Sequence, residues 1–235
     1  MRDSSLSDTP AQELERPISE AEETVAFLLS LRAKGIRDTR LLRAMEMVPR
    51  DLFAPRRFSD LARSDVSLPL PCGQTMTAPA VIATMLLALG IEDHHRILEV
   101  GTGSGYVAAV LAHLGAEVVS VERFRTLAMA ASERVANLGL ENVQIITADG
   151  LMAGAGQAGL RGPYDRILLN GALIAFPPTT LTGALASGGR LVGARLAAGE
   201  LKLMRIEREP DGTLKEELGG LLRLPPLVSG IARAL

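Results

Sequence analysis

A glycine-rich turn, Gly101-Thr102-Gly103-Ser104-Gly105, is the feature that most constrains the fold of this chain. It directly follows Arg96-Ile97-Leu98-Glu99-Val100, which predicts a strand, and it leads into residues 105–114, which predict a helix. Glycines at such a turn let a ligand approach the backbone and face the first turn of a helix. The arrangement is typical of α/β proteins, in which ligands bind beyond the carboxyl ends of parallel strands.

Strands and helices alternate through the rest of the chain. A capping box at Ser19-Glu20-Ala21-Glu22 begins a helix that Gly35 ends, and a second helix runs from Asp38 to just before Pro49. We predict irregular backbone over 48–79, helices over 80–89 and 124–138, and further strands over 117–122, 143–147, 165–169, 190–193, 201–208 and 214–224. Pro210-Asp211-Gly212 predicts a hairpin turn between the last two strands. The pattern predicts a seven-stranded, mostly parallel sheet with an antiparallel end strand and an N-terminal helical cap.

The chain divides into three regions on composition. Residues 1–17 carry both signs of charge between prolines and predict a flexible arm. Residues 18–79 form the cap and its loops, and residues 80–235 form the sheet core. We expect the cap and the core to pack as one compact domain.

Charge and cysteine content exclude several classes of function. The 25 Lys and Arg against 27 Asp and Glu give a net charge of −2, so nothing favours nucleic acid or anionic lipid as a partner. No apolar run approaches the ~20 residues of a membrane span. Cys72 is the only cysteine, and His94 and His95 should point to opposite sides of an extended segment, so we predict no disulfide framework and no metal site. A cytoplasmic monomer is the default expectation.

The residues around the glycine turn indicate which ligand it binds. Tyr106 stands where a dinucleotide fingerprint needs its third glycine, and a phosphate-binding loop would need Gly-Lys-Ser/Thr. Instead, Glu99, Glu122 and Asp149 lie at the ends of three successive strands. Three acids repel a pyrophosphate but suit a nucleoside that carries a cationic sulfonium and an amino group. The pattern therefore predicts S-adenosylmethionine.

Each acid has a predicted contact in this pocket. Glu99 meets the methionyl amino end, directly or through water, Glu122 accepts both ribose hydroxyls, and Asp149 accepts the adenine amine. The backbone of the turn approaches the cofactor through Gly101, Thr102, Gly103 and Ser104. The other predicted cofactor contacts are Thr75, Met76, Arg123, Gly150 and Asn170.

Four segments of the chain carry recognisable motifs. Val48-Pro49-Arg50-Asp51-Leu52-Phe53-Ala54-Pro55 contains a VPR segment, and the stretch from Asp65 through Leu68-Pro69-Leu70 to Gly73-Gln74-Thr75 is similar to the pattern D-x-P-L-P-I-x-x-G-Q-T. Leu98 to Tyr106 contains the glycine turn, and Pro163-Tyr164-Asp165 opens the fourth strand. Together these segments resemble the protein-L-isoaspartate O-methyltransferase family over residues 20–228.

The resemblance implies a Rossmann-like class I methyltransferase fold, S-adenosylmethionine as donor with S-adenosylhomocysteine as product, and the α-carboxylate of isoaspartyl residues in damaged proteins as acceptor. Thr77 would orient that carboxylate and is the predicted catalytic residue. Asp65 and Gln74 are predicted with Thr77 on the acceptor side, although a turn-capping role for Asp65 is equally open. Arg50, Arg56, Arg57 and Arg63 either hold the acceptor peptide or are solvated.

Four departures from the family pattern lie on the acceptor side. Thr77 replaces a serine, and Asn170-Gly171-Ala172-Leu173 replaces Thr-Ala-Ala-Ala. Pro71-Cys72 replaces Gly-Tyr, and Val228 replaces the hydroxyl residue that ends the family's R-F-V-P-L-T segment. Two other functions therefore stay open: a methyltransferase of the same ancestry with a different protein or small-molecule acceptor, and a cofactor-binding module without turnover.

Overall fold

The computed structural model describes residues 19–153 and 160–232. The predicted arm at residues 1–17 and most of the glycine- and alanine-rich stretch near residue 155 lie outside the described residues.

Two helices form the cap where the sequence predicts them. Helix α1 spans Glu20–Ala33, and its capping box is present, because the Ser19 side chain accepts from the Glu22 N–H while the Glu22 carboxylate accepts from the Ser19 N–H. Helix α2 spans Thr39–Met47, and Asp38 caps it by accepting from the Leu41 N–H at 2.8 Å. Satisfying these free N–H groups fixes where each helix begins.

The proline-rich segment after the cap is irregular, as predicted. It contains short 3₁₀ turns at Arg50–Leu52, Arg56–Leu61 and Pro71–Gly73. Leu68–Pro69 pairs with Thr75–Met76 in a two-residue antiparallel ladder. Helix α3, Pro79–Leu89, then leads into the core.

The core is a seven-stranded sheet flanked by helices. Its strands are β1 (Arg96–Val100), β2 (Glu117–Glu122), β3 (Val143–Thr147), β4 (Tyr164–Leu173), β5 (Leu185–Ala197), β6 (Glu200–Arg208) and β7 (Leu214–Leu221). The helices are α4 (Tyr106–Ala112), α5 (Arg125–Asn137) and the short α6 (Thr179–Thr182), with a 3₁₀ turn at Gly150–Met152.

The strand order is β3-β2-β1-β4-β5-β6-β7. The first five strands in this order pair in parallel, whereas β6 runs antiparallel to both of its neighbours. The predicted architecture is confirmed. The order reverses between β1 and β4, so a crevice opens beyond their carboxyl ends.

Buried apolar side chains cover both faces of this sheet. Ile97 on β1 packs with the cap and with helices α3 and α4, whereas Leu98 and Val100 pack in a second cluster with β4 and β5. With aromatic residues at only 3% of the chain, most of the side chains in both layers are aliphatic. The cap therefore shares one apolar core with the sheet.

Three strands differ in length from the prediction. Strand β4 continues past Leu169 to Leu173, β5 is longer at both ends than 190–193, and β7 stops at Leu221. The extension of β4 follows from tertiary pairing. After a register shift, Ala172 pairs with Ala194 of β5, and on its other side it bonds to the backbone of Pro225 and Leu227, each at 2.8 Å. We call residues Pro225–Ala232 the C-terminal strap.

The helices of this protein are short compared with the thickness of a bilayer. The longest helix in the described ranges, α1, has 14 residues. A membrane span requires ~20. No helix within residues 19–153 and 160–232 is long and apolar enough to cross a bilayer.

Candidate active site

A cleft lies at the carboxyl ends of β1, β2, β3 and β4, beneath the C-terminal strap. Nine of the predicted site residues line it. They are Gln74, Thr75, Gly101, Gly103, Glu122, Arg123, Asp149, Gly150 and Asn170. The cleft is completed by Val100, Val121, Ala148 and Leu151 from the strand ends and by Pro225, Pro226, Leu227 and Val228 of the strap.

The glycine turn is held against β2 and needs its glycines. The N–H groups of Gly101 and Thr102 both donate to the Val121 carbonyl, at 2.8 and 3.2 Å. Gly101 has a φ of +100°, and a Cβ there would lie 3.2 Å from the Asn170 carbonyl oxygen. Only glycine combines this backbone conformation with such close packing.

Glu122 is oriented by the backbone before any ligand arrives. Its Oε2 accepts from the Gly103 N–H at 2.8 Å and its Oε1 from the Phe124 N–H at 3.0 Å. A carboxylate has about four acceptor positions, so about two remain for further donors. The side chain is fixed in place with acceptor capacity for a diol.

Asp149 joins the end of β3 to the strap. Its Oδ1 accepts from the Leu151 N–H at 3.0 Å and its Oδ2 from the Gly230 N–H at 2.7 Å. The Arg123 Nε donates to the Gly230 carbonyl at 2.8 Å. Two polar side chains therefore anchor the strap at the β2–β3 end of the cleft.

Glu99 lies behind the glycine turn and does not line the cleft. It is 0% exposed, and its Oε2 accepts from the Ser120 hydroxyl at 2.6 Å. Its Oε1 has no hydrogen-bond partner among the described residues. Burial raises the pKa of Glu99 to about 8; the Ser120 hydrogen bond opposes this rise and the charge of Glu122 adds to it.

Two of the departures from the family pattern meet in one hydrogen bond. Thr77, 6% exposed, donates from its Oγ1 to the Asn170 Oδ1 at 3.1 Å. The Asn170 Nδ2 donates in turn to the Gly101 carbonyl at 3.2 Å. Thr77 does not itself line the cleft, but a single side chain links it to the glycine turn.

Asp65 lies outside the cleft and serves the cap. Its Oδ1 accepts from the Ala80 N–H at 2.8 Å, in the first turn of α3, and its Oδ2 pairs with Lys34. Although burial raises its pKa, the bonds from Lys34 and Ala80 hold the pKa of Asp65 below its usual value. These contacts favour the capping role for Asp65.

The other predicted residues are spread between the cleft and the core. Gln74 reaches the cleft while its Nε2 donates to the Cys72 carbonyl at 3.1 Å. Met76 is 3% exposed and packs in the core cluster. Thr102 is buried against the Ser120 hydroxyl, and Ser104 accepts from the Tyr106 N–H at 3.3 Å. Met76, Thr102 and Ser104 therefore do not line the cleft.

The arginines near the loop take different roles. Arg50 is 2% exposed and donates to the carbonyls of Ala62, Val66 and Thr77 at 2.5 to 3.1 Å. Arg63 pairs with acidic residues of the cap, and Arg56 and Arg57 are exposed. Arg50 is therefore buried and supports the backbone at Thr77. The four arginines look alike in the sequence, so this difference between them was not predicted.

The prediction that His94 and His95 point apart is wrong. Their rings lie side by side with centroids 4.5 Å apart, because the segment before β1 is a turn and not an extended strand. His95 Nδ1 accepts from the Glu92 N–H at 2.8 Å, which occupies its lone pair.

Sequence reasoning missed Ser120 and the strap. Ser120 is the one polar residue inside the apolar run Val118–Val121, which is a readable signal of a buried polar contact. Pro225-Pro226 excludes a regular helix and marks the strap. The family resemblance places Val228 beside the site, but no local pattern indicates that the rest of the strap crosses the cleft.

The residues present fit a cationic nucleoside better than a phosphorylated one. Glu122 and Asp149 line the cleft, and Glu99 lies buried behind the glycine turn with an Oε1 that has no hydrogen-bond partner among the described residues. An isolated buried carboxylate is costly until a positive group faces it. The cleft therefore suits a ligand that carries a positive charge on the side of the glycine turn nearest Glu99.

Comparison with known proteins agrees with this geometry. The family model described as Protein-L-isoaspartate(D-aspartate) O-methyltransferase (PCMT) matches residues 22–231. The protein-L-isoaspartate O-methyltransferase of Azorhizobium caulinodans is 43% identical over 219 residues, covering 92% of this chain and 99% of the relative. That of Xanthobacter autotrophicus is 44% identical over 217 residues, with 92% and 96% covered.

A solved structure shares the fold. The structure of a Plasmodium falciparum protein-L-isoaspartate O-methyltransferase in complex with S-adenosyl-L-homocysteine superposes with a TM-score of 0.75 at 20% identity, covering 87% of this chain and 98% of its own. The match over residues 22–231, with relatives above 40% identity along nearly their whole length, shows that this chain belongs to the protein-L-isoaspartate O-methyltransferase family.

Proposed function

We propose that this protein transfers a methyl group from S-adenosylmethionine to the α-carboxylate of L-isoaspartyl residues in damaged proteins. Family membership supports the reaction class, and the acidic cleft supports the donor. The methyl ester that forms favours cyclisation to a succinimide, which is the step that leads to repair. We also propose that the protein works as a cytoplasmic monomer on isoaspartyl proteins, without nucleic acid.

The donor lies in the cleft with its nucleoside across the ends of β2 and β3. Glu122 accepts the ribose hydroxyls, Asp149 accepts the adenine amine, and the methionyl end faces Glu99 across the glycine turn. The backbone at Gly101 and Gly103 fits closely against it, with Thr75, Arg123, Gly150 and Asn170 around it. When bound, S-adenosylmethionine supplies a methyl group on a positively charged sulfur.

The acceptor side requires positioning more than proton transfer. A carboxylate with a pKa near ~4 is already ionised at neutral pH, so no general base is needed. The protein must align that carboxylate and exclude water. Gln74 and Thr77 are the residues we assign to this task.

To orient the acceptor carboxylate, Thr77 must give up or share its hydrogen bond to Asn170. Its single hydroxyl proton is directed at the Asn170 Oδ1 at 3.1 Å. A carboxylate is the stronger acceptor, so an arriving isoaspartyl group competes with Asn170 for this proton. The bond to Asn170 is therefore broken or shared when the acceptor binds.

The observation that carries the proposal is the short link between the two halves of the site. Thr77, which we assign to the acceptor, and the Gly101 carbonyl of the glycine turn, which we assign to the donor, both bond to Asn170. One side chain thus connects the two assigned halves of the site, which supports transfer between adjacent ligands.

The test uses two matched peptides and a labelled donor. One peptide carries an isoaspartyl residue, and the other carries an ordinary aspartyl residue in the same sequence. We expect methyl transfer to the first and none to the second. Binding of S-adenosylhomocysteine is measured by calorimetry in parallel.

The parallel measurement separates the alternatives. Donor binding with transfer to neither peptide contradicts the proposal and supports a binding module or a different acceptor. Equal transfer to both peptides contradicts isoaspartyl selectivity. A protein that binds no S-adenosylhomocysteine contradicts the assignment of the cleft itself.

A further inference from the structure

A row of three buried polar groups runs behind the glycine turn. The Thr102 hydroxyl lies 2.5 Å from the Ser120 hydroxyl, which donates to the Glu99 Oε2 at 2.6 Å. Thr102 is 2% exposed, and Ser120 and Glu99 are both 0% exposed. The row ends at the Glu99 Oε1, which has no partner in the described part of the chain.

The protons along this row point in one direction. Ser120 has one hydroxyl proton and gives it to Glu99, so its oxygen accepts from Thr102. Both hydroxyls therefore donate toward the carboxyl group. Hydrogen bonds donated to a carboxylate stabilise its ionised form.

We infer that Ser120 is a positioning residue of the donor site. It fixes the Glu99 carboxyl through Oε2 and stabilises, behind the glycine turn, the negative charge that attracts the donor's ammonium group in the cleft. Ser120 touches no ligand itself. This inference rests on the proposed function, because it requires a cationic donor in the cleft.

Among the groups around Glu99, the Ser120 hydroxyl favours the ionised carboxylate most strongly. Glu122, at the end of β2, is the charged group that acts on Glu99, and it disfavours ionisation. From β4, the Asn170 side chain also lowers the pKa of Glu99 by hydrogen bonding, as Ser120 does, but its effect is the smaller of the two. Strand β2 itself offers Val119 and Val121 beside Ser120, and neither has a polar side chain.

A proton is released when the donor or its product binds. With a pKa of about 8 in the free protein, Glu99 is mostly protonated at neutral pH. A facing ammonium group favours the carboxylate and lowers that pKa in the complex. Affinity should therefore rise with pH up to the free pKa and level off above it.

The experiment measures S-adenosylhomocysteine binding by calorimetry between about pH 6 and 9.5, in two buffers of different ionisation enthalpy at each pH so that released protons are counted. The variants are Ser120→Ala, Ser120→Thr and Glu99→Gln. Thr182→Val is the matched control, because Thr182 is also a buried hydroxyl residue, 4% exposed, but lies on α6.

We expect Ser120→Ala to bind about tenfold or more weakly at neutral pH, as loss of a hydrogen bond to a charged group predicts. Its affinity should rise at a higher pH than that of the wild type. Ser120→Thr keeps the hydroxyl and should restore both affinity and profile. Glu99→Gln should release no proton, and Thr182→Val should match the wild type.

Other outcomes overturn the inference. If Ser120→Ala keeps wild-type affinity, or loses affinity equally at every pH with the same proton release, Ser120 is not positioning Glu99. Should Ser120→Ala fail to fold, Ser120→Cys, with a weak donor of similar size, replaces it under the same criteria. A wild-type protein that binds no S-adenosylhomocysteine overturns the proposed function instead.

Discussion

The carboxyl group of Glu99 destabilises the folded protein once it must ionise. Its pKa rises from 4.5 to about 8 because it is buried, so the folded state holds a proton that the unfolded chain releases. This penalty is absent below the unfolded pKa, grows as pH rises between the two values, and is complete above about pH 8. The residue that we assign to the donor's ammonium group is therefore a source of instability in the ligand-free protein.

Replacing Glu99 by Gln should stabilise the ligand-free protein at alkaline pH. The amide cannot ionise, so the free energy of unfolding should rise by a few kcal/mol near pH 8.5 and by less than ~1 kcal/mol near pH 5. Urea denaturation at both pH values measures the difference. Glu141→Gln, at an exposed carboxylate, is the control and should change neither value.

Thr77 should affect the acceptor much more than the donor. Thr77→Val removes the hydroxyl at nearly constant volume, and we expect kcat/KM for the isoaspartyl peptide to fall about ten- to a hundredfold. Thr77→Ser keeps the hydroxyl and should preserve or raise turnover. Affinity for S-adenosylhomocysteine, measured by calorimetry, should change little in either variant.

Asn170→Ala completes a double-mutant cycle with Thr77→Val. Because the two side chains share one hydrogen bond, the effects on kcat/KM should be non-additive, with a coupling of about 0.5–3 kcal/mol. Additive losses, or a Thr77→Ser variant that is nearly inactive, would contradict the assigned role of the hydroxyl.

Sequence patterns predicted where the three acids lie in the fold but not how deeply each side chain is buried. Glu122 and Asp149 follow predicted strands, and parallel strands bring their carboxyl ends together, so their meeting in one cleft was predictable. The burial of Glu99 and its bond to Ser120 were not, because alternation along a strand does not say what covers each face. The Thr77 to Asn170 contact spans 93 positions in sequence and depends wholly on tertiary packing.

Strand β4 and the strap depend on each other. The sequence predicts that β4 ends at Leu169, since Asn170 and Gly171 are poor strand formers. Pairing with β5 and with the strap overrides that preference, and it moves Asn170 from a loop into a strand. Local propensity therefore gave the number of strands in the seven-stranded sheet correctly but misjudged the length of this one.

Gly171→Ala should loosen the strap. A Cβ at this position would lie 2.6 Å from the Leu227 side chain and 3.2 Å from the Pro225 carbonyl oxygen. Overpacking of this kind costs about 1–3 kcal/mol, so we expect affinity for S-adenosylhomocysteine to fall about tenfold. Calorimetry measures the affinity.

Gly220→Ala serves as the control for this change. No atom lies within 4 Å of a Cβ built there, so the substitution adds the same methyl group without a clash. Equal affinity in the two variants would show that the contact of the strap with Gly171 does not support donor binding.

At the scale of the whole molecule, the cleft draws on both the cap segment and the sheet. Gln74 and Thr75 come from the segment between the cap helices and the core, and the strap comes from beyond the last strand. The alternation of strands and helices predicted this sheet from sequence, since that pattern leaves few topologies. How the cap segment and the strap close over it was beyond prediction, because neither has a regular periodic pattern.

Donor binding should therefore stabilise the molecule as a unit. At a concentration of S-adenosylhomocysteine about 100 times its Kd, we expect the free energy of unfolding to rise by ~2.7 kcal/mol and Tm to rise in a single transition. Thermal unfolding followed by circular dichroism measures it. NAD is the control ligand, and its pyrophosphate should give no shift beside these acids. A shift with NAD as large as that with S-adenosylhomocysteine would contradict the predicted ligand class.

The position of the strap also makes this protein convenient for optical work. The chain contains no tryptophan, and both of its tyrosines, Tyr106 and Tyr164, are buried away from the cleft. Val228 lines the cleft yet is 53% exposed, so Val228→Trp would place a single indole at its rim. Fluorescence from that indole would come from the strap alone, and rapid mixing would then follow its movement in real time as adenosyl ligands enter and leave.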